Sequence, residues 1–586
     1  MRNQLAFLAI LSFFWTAAAG CAAEPPRRPE LTSCKEPYLP AEARCGTFEV
    51  FENRAARTGR KIPLRVVVLP ATGPGRLSDP FVYFAGGPGD ASILEGISVA
   101  GPLVSLRQKR DVLLVDLRGT GESGGLYCPE LQGDEGLQGF LDNFLPVDKI
   151  RACRDRLKKE ADLSWYTTDA AIDDVEEVRT ALGYGPLNLM GTSHGTRAVL
   201  TYVRRHPGSV RTATLLGVLP PEERYPLGLA RATQAALDGL IAECEGDAAC
   251  RGAFPQLRQE VDAVLRRAAA EPVRVELAGP PGSVRLGRNG LAQALRYRLY
   301  SPAEAALLPL AIHQAAQGNW KPLAEAVSHD ERVKHLLADG FYQSVTCAED
   351  LAFIRDEEIA PAVAGTFLGD FRVRAQKAAC EGWPIRDLGP DLHTPIVSDV
   401  PALLISGERD PATPAAEAAR VARALRRSRH LVIADGAHSM DGMEGGDCLL
   451  RLITRLVEAG SAEGLDASCI AGMRRPEFAL RSVLTSTDSG TAVTQADLER
   501  LPGSYTNQEM GLTLKVDLGQ GQLRVSVTQG PPFPPFLLIP SSPTRFRVEG
   551  EGLAPGLTVA FQVAEGKATA LIMAQPGVPE VVLQRQ

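Results

Sequence analysis

Strand-length runs of apolar, often β-branched residues recur along the chain, with helical stretches between them. The runs are Ile62–Leu69, Phe81–Phe84, Val112–Val115, Leu187–Met190, Thr212–Leu216 and Ala402–Ile405, and amphipathic stretches at Ala170–Leu182 and Thr196–Arg205 separate several of them. Short apolar runs bounded by helices are the pattern of strands buried on both faces, joined by crossovers that make parallel pairing the natural arrangement. The expectation is a mainly parallel α/β sheet covered by helices on both sides. At 586 residues the chain is too long for one core, so additional units are expected.

The rhythm of the chain marks those units. Residues 47–221 and 396–480 carry the strand–helix alternation. Residues 222–395, between them, are rich in Ala, Leu and Arg with helical periodicity, as expected of a helical cap inserted between two strands. Thr485–Thr494 is a Ser/Thr/Gly linker. Beyond it, over 495–586, short alternating segments such as Leu512–Val516, Leu523–Val527, Phe546–Val548 and Leu557–Val563 are separated by Gly and Pro turns, which argues for a small antiparallel β domain or barrel. No solenoid-type repeat is present. A formal net charge of −7 and the lack of a basic face exclude nucleic acid as a partner; Arg423–Arg429 reads as a solvated helix face.

The N-terminus reads as an export signal. Arg2 precedes an apolar run, Leu5–Trp15, too short to span a bilayer, and small residues lead to Ala18-Ala19-Gly20-Cys21. This resembles a bacterial lipobox, which implies cleavage before Cys21 and a lipid anchor on its thiol at the membrane; an ordinary signal peptide is the alternative. Residues 22–46 then form a tether and lead-in segment. Apart from Cys21, ten of the 11 cysteines remain. Their simplest pairing joins chain neighbours: Cys34–Cys45, Cys128–Cys153, Cys244–Cys250, Cys347–Cys380 and Cys448–Cys469. Ten cysteines allow many connectivities, but disulfides of any pattern fit a periplasmic or envelope location. No double CxxC spacing marks a zinc site.

Gly191-Thr192-Ser193-His194-Gly195 fits G-x-S-x-G, a nucleophile elbow between the strand Leu187–Met190 and a helix beginning near Thr196. The flanking glycines permit a sharp turn that exposes the serine hydroxyl. A base and an orienting acid should follow in the order Ser, acid, His. Of eight histidines, His438 alone sits in a loop directly after a strand-like run, Leu431–Ile433. The acid is placed at Asp410, in the Pro-bounded segment after Ala402–Ile405, with Glu408 and Asp435 as competitors. The oxyanion would be held by the backbone N–H of His194 and by the glycine loop Ala85-Gly86-Gly87-Pro88-Gly89, which lacks the Lys and spacing of a phosphate loop.

Taken together, Phe84–Gly89, Asp116-Leu117-Arg118-Gly119-Thr120-Gly121-Glu122-Ser123, the elbow and Gly407-x-x-Asp410-x-x-Thr413-Pro414 resemble the prolyl and tripeptidyl aminopeptidase family of α/β hydrolases. The resemblance covers about residues 60–475, most weakly in the cap. It implies an α/β-hydrolase fold with an inserted helical cap. It also implies a serine peptidase releasing residues or short peptides from free N-termini through an acyl-enzyme, with no metal or organic cofactor. In such enzymes acidic cap residues hold the substrate ammonium, and Glu349 and Asp350 are the candidates here; a solvated acidic pair at a helix start is the alternative. Arg118 is expected to be architectural. This chain departs from many relatives in having Ala85 before the glycine loop and His194 after the nucleophile, which bears on the pocket wall and not on the backbone donors. Leu501–Tyr505 resembles small β domains appended to exported hydrolases. The same machinery serves a carboxylesterase, and a binding protein without turnover would keep the same shape. Oligomeric state is not readable from the sequence.

Overall fold

The computed structural model describes residues 29–586 except 37–38, 101–102, 132–133, 278–281, 325–336 and 481–492, and except 509, 520–521, 530–535, 541, 550–556, 565 and 576–577 in the C-terminal unit. The export signal and Cys21 lie outside the described residues. The strands of the first 480 residues are β1 (Thr32–Ser33), β2 (Arg44–Phe51), β3 (Lys61–Leu69), β4 (Phe81–Phe84), β5 (Val112–Val115), β6 (Leu187–Thr192), β7 (Val210–Leu216), β8 (Val273–Glu276), β9 (Ser283–Leu286), β10 (Ala402–Gly407) and β11 (Ser428–Ile433). Nine of them form one sheet in the order β1-β2-β3-β5-β4-β6-β7-β10-β11, while β8 and β9 make a separate hairpin. β1, β2 and β3 pair antiparallel, as does β3 with β5; from β5 to β11 every pairing is parallel.

The burial of each strand follows its place. Central strands β4, Phe-Val-Tyr-Phe, and β10 are buried at every position, while β2 near the edge alternates. Successive residues of β4 and β5 face opposite cores: Val82, Phe84, Leu113 and Val115 on one side, Phe81, Tyr83, Val112 and Leu114 on the other. Strand order reverses at β4, so the carboxyl ends of β4 and β6 flank a crevice of the type where open α/β sheets bind ligands.

Five helices matter for the site: α1 (Thr168–Leu182), α2 (His194–Arg205), α3 (Arg288–Arg298), α4 (Asp339–Glu349) and α5 (Phe371–Cys380). α1 stops at Gly183, which takes the left-handed conformation that glycine tolerates. α3, α4 and α5 belong to the helical block between β7 and β10. The β8–β9 hairpin inside that block was not expected from the sequence; four-residue segments such as Val273–Glu276 are too short to show an alternation against helical surroundings. β2 likewise begins within the segment read as lead-in.

Arg118 is fully buried and grips Asp174 of α1 through two hydrogen bonds of 2.7 and 2.8 Å while donating to the carbonyls of Glu52 and Trp165. It pins the Asp116–Ser123 turn to α1, the architectural role expected of it. The five disulfides follow the simplest pairing of the cysteines, and Cys347–Cys380 ties α4 to α5. In the C-terminal unit eight antiparallel strands, from Gly503–Asn507 to Val578–Arg585, close into a barrel around its own apolar core. Among the described residues no helix is long and apolar enough to cross a membrane.

Candidate active site

β6 runs to Thr192 and α2 starts at His194, so Ser193 alone makes the turn between them, at φ 56° and ψ −123°. A non-glycine residue held there stores about 1–3 kcal/mol of backbone strain. Ser193 N–H donates to Leu216 O at the end of β7 (2.9 Å). The flanking glycines are required by close approach: a Cβ at Gly191 would stand 2.2 Å from Gly195 O, and one at Gly195 would stand 2.1 Å from Phe84 O. α2 begins two residues earlier than its sequence suggests, which puts His194 N–H among the helix's first amides, without intrahelical acceptors.

The structure brings Asp410 and His438 together. His438 Nδ1 lies 2.9 and 3.0 Å from the two Asp410 oxygens. Asp410 is buried after β10 and receives Ala412 N–H and Thr413 N–H, both at 2.8 Å, together with Thr413 Oγ1 at 2.7 Å. Three donors besides the imidazole fix the carboxylate's orientation. The competing acids are engaged elsewhere: Asp435 pairs with Arg409, and Glu408 accepts from Asp435 N–H. Gly217, next to the Leu216 that holds Ser193, is left-handed (φ 64°), and a Cβ there would crowd both His438 Cε1 and Thr413 Oγ1 at 3.2 Å. The end of β7 thus has the Ser193 backbone on one residue and the His438 ring against the next. His206 pairs with Asp173 and His313 with Glu260, but neither sits at this edge of the sheet.

The glycine loop after β4 closes over the nucleophile. A Cβ on Gly86 would lie 3.4 Å from Ser193 Cβ and 3.6 Å from Asp90 Oδ2, so backbone, serine and a carboxylate converge there. Glu95 sits against the Gly86 N–H and accepts from Tyr83 OH at 2.9 Å, while the same hydroxyl reaches Thr192 Oγ1 at 3.1 Å. Burial pushes the Glu95 carboxyl upward despite those contacts. From the cap, Ala338 N–H donates to Gly89 O (3.0 Å), so the start of α4 rests on this loop. The His194 ring is buried, and burial with the nearby Arg197 charge pushes it down to about 3. A neutral imidazole is the state present at neutral pH.

Glu349 and Asp350 lie inside the protein and already have partners. Glu349 accepts from Thr168 N–H (2.7 Å) and Thr168 Oγ1 (2.9 Å), at the first turn of α1. Asp350 Oδ1 receives Arg197 Nη1 (2.8 Å) and Tyr225 N–H (3.1 Å). The acidic pair is therefore not a solvated one. The contacts seen are with α1 and with the helix behind the elbow, and both Glu349 oxygens are occupied. Burial is the main reason the Glu349 carboxyl is pushed up to about 7.

Two neighbours of the site had no assigned role from the sequence. Thr413 clamps Asp410; its signal was an Asp followed two and three residues later by amides it can cap, the local Asx pattern. Tyr300 meets His438 edge-on with ring centroids 4.9 Å apart, and its carbonyl accepts from Ser439 N–H at 2.8 Å. Nothing near Tyr300 in the sequence announces that contact, because the residue lies just past the end of α3, far along the chain from the histidine loop.

A family model described as alpha/beta hydrolase fold matches residues 79–247, and one described as TAP-like protein matches residues 366–469. Serine protease Hip1 of Mycobacterium tuberculosis (strain ATCC 25618 / H37Rv) is 26% identical over 491 residues, 75% of this chain and 90% of the relative. Tripeptidyl aminopeptidase of Streptomyces coelicolor is 23% identical over 470 residues, 74% of this chain and 84% of the relative. Putative hydrolase YuaR of Escherichia coli (strain K12) is 28% identical over 174 residues, 29% of this chain and 35% of the relative. With the parallel sheet and the elbow geometry, these matches show an α/β-hydrolase fold and a chain similar to TAP-like proteins.

Proposed function

We propose that this chain is a serine peptidase that releases residues or short peptides from free N-termini through an acyl-enzyme. The observation that carries the reading is the arrangement of Ser193, His438 and Asp410 at the carboxyl edge of the sheet, in a chain whose relatives over most of its length are named as peptidases. Ser193 Oγ attacks the scissile carbonyl. His438 Nε2 takes its proton while Asp410 holds Nδ1 and stabilises the imidazolium. Negative charge on the tetrahedral oxygen is met by His194 N–H and by the Gly87 amide of the glycine loop, the Gly86 N–H being turned to Glu95. The imidazolium then protonates the leaving amine, the acyl-enzyme remains, and water enters by the same general-base route.

Preference for a free amine requires a carboxylate on the acyl side. Asp90, on the same loop as Gly86 and in contact with Glu95, is the candidate. Glu349 and Asp350, the cap carboxylates that the family resemblance offers as ammonium ligands, act from behind by fixing α1 and Arg197. The mature protein is exported and anchored through lipid on Cys21, a reading supported by five disulfides that a reducing cytosol would not maintain.

The test is hydrolysis of paired chromogenic substrates, each with a free and a blocked N-terminus, as single-residue and tripeptide amides, with a short-chain ester alongside. Ser193-dependent cleavage of the free-amine amides is expected, with the free-over-blocked ratio collapsing in Asp90→Asn and holding in Glu349→Gln. Cleavage of the ester alone would overturn the peptidase reading. A ratio lost in Glu349→Gln and kept in Asp90→Asn would return the amine to the cap.

A further inference from the structure

Four buried arginines among the described residues are each matched to a carboxylate. Arg118 has Asp174, Arg197 has Asp350, Arg110 has Asp79 and Arg298 has Glu304. Arg372, on α5, is 6% exposed and has no carboxylate within ion-pair distance among the described residues. Its Nε reaches Gln376 Oε1 at 3.2 Å and its Nη2 reaches Tyr225 OH at 3.3 Å, while Nη1 is buried with no acceptor. The guanidinium stacks over Phe144 at 4.1 Å and stands 5.7 Å from the Tyr225 ring centroid. Stacking on rings offsets only part of the desolvation of a cation, and an N–H left without an acceptor adds to that cost.

A series of ring contacts links this cation to the histidine of the site. Phe144 packs on Phe140 (5.5 Å), Phe140 on Tyr297 (6.2 Å), and Arg296 lies over Tyr297 (4.1 Å) and Tyr300 (4.8 Å). Tyr300 is the residue in edge contact with His438. Arg296 opposes the charge of Arg372, and both act on the Tyr300 hydroxyl, so two guanidiniums raise the positive potential on one side of the histidine. Gln376 is itself held by Tyr342 OH (2.8 Å), which fixes the side chain that orients Arg372.

We propose that Arg372, with Tyr225 beside it and Arg296 adding charge, forms a subsite in the cap that binds a carboxylate of the substrate. The inference rests on the peptidase reading for the identity of the ligand. A planar carboxylate suits the donors present, one open guanidinium N–H and an adjacent phenol, and would supply the counter-charge that the chain does not. The carboxylate comes either from an acidic side chain or from the C-terminus of a short peptide. The binding energy gained there selects acidic or short free-acid peptides over neutral or amidated ones.

The experiment measures kcat/KM by mass spectrometry for peptides differing at one position as Glu or Gln, each with a free or an amidated C-terminus. Wild type is expected to favour one carboxylate-bearing arm by about 10-fold or more. A preference following Glu over Gln assigns the side chain as source, and one following free acid over amide assigns the C-terminus. Arg372→Gln is expected to bring that ratio to within about 2-fold of unity, with Arg372→Lys between the two. Peptides cleaved by wild type with no preference in either arm would overturn the subsite, a result that needs no variant to fold. If peptides resist and only the ester turns over, the peptidase reading fails, and glutarate is then titrated against ester hydrolysis. Inhibition by glutarate that is absent with glutaramide and weakened in Arg372→Gln supports the anion site, and no inhibition by either overturns it.

Discussion

The carboxyl edge of the sheet and the inner face of the cap hold their polar groups in different ways. At the edge, backbone does the work: Leu216 O fixes Ser193, the Ala412 and Thr413 amides fix Asp410, and the Tyr300 carbonyl fixes the residue after His438. In the cap, side chains from distant parts of the chain hold one another. Glu349 meets Thr168, Asp350 meets Arg197 and Arg372 meets Tyr225, across separations of 181, 153 and 147 residues. A site fixed by its own turns survives wide divergence around it. A site fixed by side-chain pairing changes with each partner; in the reading proposed here the edge carries the reaction and the recognition of the amine, and the cap adds the carboxylate subsite.

The largest expected effect breaks the edge. Asp410→Asn keeps the packing but leaves His438 Nδ1 without its carboxylate, and kcat on any cleaved substrate should fall about 10³–10⁴-fold with the melting temperature little changed. Steady-state kinetics with a thermal melt checks both halves. A loss confined to KM would place Asp410 outside the chemistry.

Next in size, the core should not tolerate the unpaired guanidinium that the cap tolerates at Arg372. Asp174→Asn removes the charge facing the fully buried Arg118, and should cost about 3–5 kcal/mol in denaturant unfolding. A cost under about 1 kcal/mol would mean that the carbonyls of Glu52 and Trp165 suffice for a buried guanidinium. The contrast drawn with Arg372 would then weaken.

The edge was legible in the sequence because its instructions are local. Gly191–Gly195 encodes a turn that a Cβ would block, and Asp410 with Thr413 encodes a self-capping acid loop within four residues. The parallel strands showed themselves as uninterrupted apolar runs, since central strands such as β4 and β10 have no solvent face. The employment of Glu349 was not legible. A carboxylate at a helix end reads alike whether it meets solvent, a substrate amine or Thr168, and only the packing of α4 on α1 decides among them. Arg372 was invisible for the same reason: its distinguishing feature is the partner it lacks. The β8–β9 hairpin failed on length alone.

Third in size is the Cys347–Cys380 bridge between α4 and α5. Replacing both cysteines with serine should lower unfolding free energy by about 2–4 kcal/mol and loosen the cap before the sheet. Hydrogen exchange resolved by region is the check; equal loosening of β6 and α4 would show that edge and cap unfold as one unit.

The smallest effect is in pH dependence. The folded state raises the Glu349 carboxyl to about 7, above its ordinary range near 4.5, so the folded protein binds this proton more tightly than the unfolded chain. Its contribution is fully favourable below the ordinary carboxylate range and is lost as pH rises through about 7. Glu349→Gln, which can still accept from Thr168 N–H, should remove that loss, so the variant gains about 1–3 kcal/mol on wild type between pH 4.5 and 7.5. Parallel stability–pH curves would place the charge of Glu349 elsewhere.

The central claim is that Ser193, activated by His438, is the nucleophile of this protein. Labelling by a fluorophosphonate, with the adduct located by peptide mapping, tests it most directly. Stoichiometric modification at Ser193, abolished in Ser193→Ala and slowed at least about 100-fold in His438→Ala, is the predicted result. Modification of another serine, or peptide hydrolysis that persists in Ser193→Ala, would contradict it.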